Sequence, residues 1–187
     1  MSNLILVTGP ARSGKSEWAE TLALQTGKAV IYVATAQTQP DDEEWLSRIE
    51  KHQRRRPATW KTLLVPHQLA ATLQEYAGSN CCLLVDSLGT WVANCLDWDE
   101  VFWESTITEL LENLGQTSNS SVIFVAEETG WGVVPAYPMG RKFRDRLGQL
   151  VRYLGTIANP VYLVTGGHIL NLSALGKPLP HFHKSLP

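Results

Sequence analysis

The octet Gly9-Pro10-Ala11-Arg12-Ser13-Gly14-Lys15-Ser16 constrains this chain more than any other stretch. It fits G-x-x-x-x-G-K-[ST] and stands between an apolar run, Leu4-Ile5-Leu6-Val7, and a helix-like segment that begins near Ser16. That context demands a strand, a tight turn and a helix start in immediate succession. Glycines let the backbone curl until successive N–H groups face phosphate oxygens. Lys15 then reaches the β- and γ-phosphates, Ser16 offers its hydroxyl to Mg²⁺, and the positive end of the helix adds to the field. A chance match in a Gly/Ser turn is the bland alternative, and the flanking strand and helix signals argue against it. The whole octet is thus read as nucleotide-binding, with Lys15 also catalytic and Ser16 also a metal ligand.

The rest of the chain alternates apolar runs with helical periodicity. Ala29–Ala34, Cys81–Asp86, Ser121–Val125 and Pro160–Thr165 read as strands, and Gly166-Gly167 as the break after the last of them. Between them fall helical stripes, through Trp18, Leu22 and Ala23 up to Gly27, through Leu69, Leu73 and Tyr76, through Trp103, Ile107, Leu110 and Leu114, and through Phe143, Leu147, Leu150 and Leu154. Such alternation predicts an α/β fold of three layers, a mostly parallel sheet with helices on both faces, arranged as in phosphate-loop NTPases. At 187 residues with 44% hydrophobic content, residues 1–175 suffice for one catalytic domain, leaving 176–187 as a Pro-rich, poorly ordered tail. A net charge of −2 argues against nucleic-acid partners, and no 18-residue apolar run suggests an integral membrane segment. Met1-Ser2-Asn3 leads straight into a strand, and Cys81, Cys82 and Cys95 lack metal spacing, so a cytoplasmic location is expected. His181 and His183 could bind a metal as an H-x-H pair, but their Pro-rich surroundings favour a loose terminus.

Ligands collect at the carboxyl ends of strands in doubly wound sheets. Thr35-Ala36-Gln37 at the end of the second strand are therefore candidate nucleotide contacts. Asp86, closing an apolar strand, is placed to hold Mg²⁺ directly or through water. Asp41 and Glu44 form a reciprocal cap for a helix in which Trp45, Ile49 and His52 share a face, so His52 alone would read as a half-buried structural residue. Around it, however, lies the densest positive cluster of the chain, Arg48, Lys51, Arg54, Arg55 and Arg56. Such a run is usually a solvated face, but beside a nucleotide site Gln53, Arg54, Arg55 and Arg56 become candidates to follow a polyphosphate. Glu127–Pro135, punctuated by glycines at the end of another strand, is a loop suited to substrate contacts.

Together these residues resemble the adenosylcobinamide kinase/adenosylcobinamide-phosphate guanylyltransferase family of cobalamin biosynthesis, over roughly residues 4–172. The resemblance rests on the octet and Tyr32–Gln37, then Asp41-Asp42-Glu43, Arg48-Ile49 with His52, Arg56-Pro57 and Trp60. Later it rests on Glu128, Gly130, Gly132–Pro135 and Phe143-Arg144-Asp145. It implies two reactions: ATP or GTP phosphorylates the hydroxyl of adenosylcobinamide, then GTP guanylylates a histidine that passes GMP to the cobinamide phosphate. That histidine aligns with His52. The resemblance also implies Mg²⁺ and a homotrimer; seven tryptophans, several outside the helical stripes, fit an oligomer.

This sequence departs from the family pattern at Pro10, where a second glycine is usual, and at Leu64, where a glutamate is usual. Glu127 stands for an asparagine and Val151-Arg152 for an Asn-Gln pair. Three readings follow: the two-step enzyme, a small-molecule kinase without the guanylyl step, and a nucleotide-dependent switch without small-molecule chemistry. A nucleophilic His52 separates the first from the others.

Overall fold

The computed structural model describes residues 3–37, 55–116 and 119–180. The helix expected around Asp41–His52, with Arg48, Lys51, Gln53 and Arg54, lies outside the described residues, as do His181 and His183.

Strand β1 (Asn3–Gly9) leads through the octet into helix α1 (Lys15–Gln25) and strand β2 (Ala29–Ala34). Gly27, at φ +65°, ends the helix in the left-handed region and turns the chain into β2. Strand β3 (Lys61–Leu64) and helix α2 (Leu69–Tyr76) follow, then strand β4 (Cys81–Asp86) and two helices, α3 (Leu88–Asn94) and α4 (Glu100–Gln116). Strand β5 (Ser121–Glu127), helix α5 (Pro138–Ile157), strands β6 (Val161–Thr165) and β7 (His168–Asn171) and the short α6 (Leu172–Leu175) complete the order.

The strands form one seven-stranded sheet in the order β3-β2-β4-β5-β1-β6-β7. Every neighbouring pair is parallel except β6 and β7. Side chains alternate across it, as period-2 geometry requires. In β4, Cys82 and Leu84 join Val7, Tyr32, Ile123 and Val125 on the face covered by α1. Leu83 and Val85 join Leu6, Val33 and Phe124 on the other face, under Leu69 and Leu73 of α2, Trp91 of α3, Leu110 of α4 and Leu150 of α5. Helices thus cover both faces, as the alternation predicts. The three cysteines are free and buried, and burial pushes the Cys82 and Cys95 thiols up to about 12.

Two elements differ from the sequence expectation. Gly166 and Gly167 do not merely end β6: with φ +57° and +76° they make a two-residue reversal that returns the chain as antiparallel β7. The segment after Asp86 is helical at once, with the Ser87 hydroxyl accepting from Thr90 N at the start of α3. No helix among the described residues is long and apolar enough to cross a membrane.

Candidate active site

The octet forms the turn its spacing demands. Gly9 closes β1, and a Cβ there would overlap Val164 O and the Ser13 side chain, so only glycine fits. Arg12 at φ 59° and Gly14 at φ 92° take left-handed conformations that curl the loop, and Lys15 and Ser16 begin α1. Pro10, Ala11 and Arg12 are exposed, Ser13, Gly14 and Ser16 half-buried, and Lys15 is 8% exposed. Lys15 Nζ donates to Pro10 O at 3.3 Å, and Ser13 N donates to the same oxygen at 3.3 Å. Ser13 Oγ is buried without a hydrogen-bond partner among the described residues. A buried cation on one long contact beside an orphaned hydroxyl is an arrangement that an anion would complete.

Sheet order decides what stands next to this loop. β5 lies between β1 and β4, so the carboxyl ends bring Gly9, Glu127 and Asp86 along one edge. The Asp86 Oδ2 accepts from the Tyr32 hydroxyl at 2.9 Å, across the pairing of β2 with β4. Burial, and then the neighbouring carboxylate, push the Tyr32 hydroxyl pKa far up, so it stays a donor. Arg56 stacks its guanidinium 3.8 Å from the Tyr32 ring centre and reaches Thr62 Oγ1 at 3.3 Å. Arg56, Tyr32 and Asp86 thus form a continuous string.

Other expected contacts sit differently. The Thr35 hydroxyl is fully buried, donating to Ser87 O at 2.8 Å and accepting from Ser87 N at 3.0 Å, which ties the ends of β2 and β4 together. Ala36 is half-buried; exposed Gln37 holds the His67 ring at 3.3 Å. Arg55 turns back onto α1, with Glu20 at 2.8 Å and Glu17 at 2.9 Å. Gln53, Arg54 and His52 lie outside the described residues. Tyr32 was absent from the candidate site residues, although it opens the Tyr32–Gln37 stretch that carries part of the resemblance; its side chain faces α1 on the strand beside β4.

For Mg²⁺ the relevant donors are the Ser16 hydroxyl and the Asp86 carboxylate. Both are hard oxygens, and Tyr32 orients the second. The donor chemistry therefore suits a cation whose remaining ligands are phosphate oxygens and water.

With this geometry in hand, relatives are informative. The family described as cobinamide kinase / cobinamide phosphate guanyltransferase matches residues 5–172. The bifunctional adenosylcobalamin biosynthesis protein CobP of Pseudomonas aeruginosa is 42% identical over 93% of this chain and 98% of its own. Its counterpart CobU of Escherichia coli is 34% identical over 88% and 96%. Among solved structures, the RadB recombinase overlays at TM-score 0.45 with 18% identity, over 86% of this chain and 73% of that one. The chain belongs to the cobinamide kinase / cobinamide phosphate guanyltransferase family.

Proposed function

We propose that the chain carries out both reactions of its family on one nucleotide site. A triphosphate, ATP or GTP, seats its β- and γ-phosphates in the Gly9–Ser16 loop, against Lys15 and the Ser13 hydroxyl. The hydroxyl of adenosylcobinamide attacks the γ-phosphorus. In the second reaction GTP transfers GMP to His52, releasing pyrophosphate, and GMP passes on to the cobinamide phosphate to give adenosylcobinamide-GDP. A neutral imidazole nitrogen can attack an α-phosphorus, and the resulting phosphoramidate remains reactive enough to donate GMP. The observation that carries this reading is the buried Lys15, held by one 3.3 Å contact in a loop whose Ser13 hydroxyl lacks a partner among the described residues.

Ser16 and Asp86 would hold Mg²⁺, which when bound neutralises charge on the β- and γ-phosphates. Tyr32, donating to Asp86, keeps that carboxylate turned, and Arg56 stacked on Tyr32 supplies positive charge at the same edge. Thr35 acts through its hydroxyl, which is bonded to the Ser87 backbone, while Arg55 acts through α1. Two coarser proposals accompany this. Exposed Trp131, Val133, Val134, Tyr137 and Met139 support assembly as a homotrimer, and three free, buried cysteines suit a reducing, cytoplasmic setting. Light scattering that returned a monomer mass would remove the first.

The decisive experiment is incubation with α-labelled GTP, followed by acid and base treatment. A phosphoramidate is lost in acid and comparatively stable in base. His52→Ala should abolish the label while phosphorylation of adenosylcobinamide persists. Retained label would remove His52 from the mechanism, and loss of both activities with a lowered melting temperature would make it a structural residue.

A further inference from the structure

The triphosphate end of the site spans three strands, with β5 between β1 and β4. Lys15 stands on the loop that leaves β1, and Asp86 closes β4. β5 runs between them, so those two strand ends are separated by two steps of about 4.8 Å each. A phosphoryl group held between Lys15 and Asp86 therefore lies over the end of β5, where the last residue is Glu127. The register makes this specific: Glu127 pairs with Gly9, the first residue of the loop, and Asp86 pairs with Val125 two residues earlier. Glu128 N donates to Gly9 O at 3.1 Å, so the backbone just after Glu127 is fastened to the first residue of the phosphate loop, and the residues just before it pair with Val7 and Thr8 of β1.

The side chain is oriented as well. Gly89 N donates to Glu127 Oε2 at 2.9 Å. A Cβ on Gly89 would overlap that carboxylate, so the glycine in α3 and the glutamate in β5 are a matched pair, each shaped to the other. Only one oxygen is used in this way. Oε1 makes no hydrogen bond to the described residues, and the side chain is half-buried, open to a ligand at the strand edge. The resemblance has asparagine at this position, so the carboxylate belongs to this chain rather than to the family pattern.

We infer that Glu127 is a catalytic residue of the phosphorylation step, the general base that receives the proton of the acceptor hydroxyl. As the substrate oxygen bonds to the γ-phosphorus, its proton moves to Glu127 Oε1. The bond from the γ-phosphorus to the bridging oxygen breaks, and the nucleoside diphosphate leaves with that electron pair. The proton on Glu127 then passes to water, restoring the carboxylate. Gly89 N holds the carboxylate in place throughout. This rests on the kinase activity proposed above.

The test is Glu127→Gln, which keeps an amide oxygen for Gly89 N and removes the base. Purified wild-type and variant proteins are compared with adenosylcobinamide and ATP for kcat and KM, with ATP affinity by calorimetry and melting temperature alongside. The expected result is a fall in kcat of about tenfold or more, with ATP affinity and melting temperature unchanged. Any smaller loss overturns the inference and leaves Glu127 as a support for α3. A loss accompanied by weakened ATP binding or a lowered melting temperature also overturns it, because the residue then acts on the site's structure. If Glu127→Gln does not fold, Glu127→Asn, the residue of the family pattern, is measured against the same criteria. A wild-type protein that binds ATP and does not phosphorylate adenosylcobinamide sinks the kinase reading itself, and the inference with it.

Discussion

Two buried cations make opposite use of backbone carbonyls. Lys15, at 8% exposure, makes one side-chain hydrogen bond among the described residues, to Pro10 O at 3.3 Å. Arg146, at 3% exposure, donates to Cys95 O at 2.8 Å, Trp98 O at 2.9 Å, Asp99 O at 3.4 Å and Glu100 Oε2 at 3.1 Å, and stacks 4.7 Å from the Trp103 ring. Lys142 adds Leu96 O and Trp98 O on the same turn. Desolvating a cation costs several kcal/mol unless partners replace the lost water, of the order of about 5 kcal/mol. Around Arg146 the chain itself supplies partners for both terminal nitrogens, with Nε alone lacking one among the described residues, and gains a fixed turn between α3 and α4. Around Lys15 the described residues supply one long bond, which leaves donor capacity for the phosphate proposed to enter the loop. Burial alone therefore does not distinguish the two cations; the number of internal partners among the described residues does.

The sharpest way to break this contrast is Lys15→Ala. Removing a charged donor from a preorganised phosphate site should lower both phosphorylation and GMP labelling by about 10³-fold. The melting temperature should stay close to the wild-type value, since a single long hydrogen bond is lost. Normal turnover would remove the loop from the chemistry. A collapsed melting curve would make Lys15 a structural cation like Arg146 and dissolve the comparison.

Arg146→Met inverts the expectation. Three carbonyls and the Glu100 carboxylate lose Arg146 as a donor, and of these Trp98 O keeps Lys142, so unfolding by urea should show a loss of about 3 kcal/mol. Activity per folded molecule should hold, because the residues that bond Arg146 (Cys95, Trp98, Asp99 and Glu100) belong to the turn between α3 and α4 and to the start of α4 rather than to the phosphate loop. Preserved stability with reduced turnover would show that the better-satisfied cation is the functional one.

This contrast was only half visible in the sequence. Local signals carried β1, the loop and α1, because the octet's spacing encodes a turn that needs no distant partner. They also carried β4, since a continuous apolar run reads as a buried strand wherever it lies in the sheet. Nothing local marks Arg146, a cation beside the apolar stripe of α5, because its partners lie 46 to 51 residues away, in a turn that no periodicity marks. The α3 segment was missed for a related reason: seven residues with a glycine inside make too weak a stripe. That glycine is explained only by Glu127, 38 residues on. Thr35 and Arg55 were legible as polar groups near the right edge. Their partners Ser87, Glu17 and Glu20 became apparent only once β2 lay beside β4 and α1 crossed that face.

Arg55 is the intermediate case and gives the finest discrimination. The density of arginines before Pro57 suggests a polyphosphate contact, whereas the folded chain turns Arg55 onto two carboxylates of α1 one helical turn apart. Glu20 bonds through two guanidinium nitrogens at 2.8 and 2.9 Å, and Glu17 through a third at 2.9 Å. With 35% of its side chain exposed, solvent screens much of the attraction. Arg55→Gln should therefore cost no more than about 1 kcal/mol of stability, a loss that shrinks as salt is raised. If satisfaction by the chain's own groups is what retires a cation from ligand binding, GTP affinity by calorimetry should change by less than about threefold, well under one kcal/mol. A larger, salt-sensitive loss of affinity would mean that Arg55 leaves Glu17 and Glu20 when nucleotide binds. Counting internal partners would then identify resting positions rather than functions, for Lys15 and Arg146 as much as for Arg55.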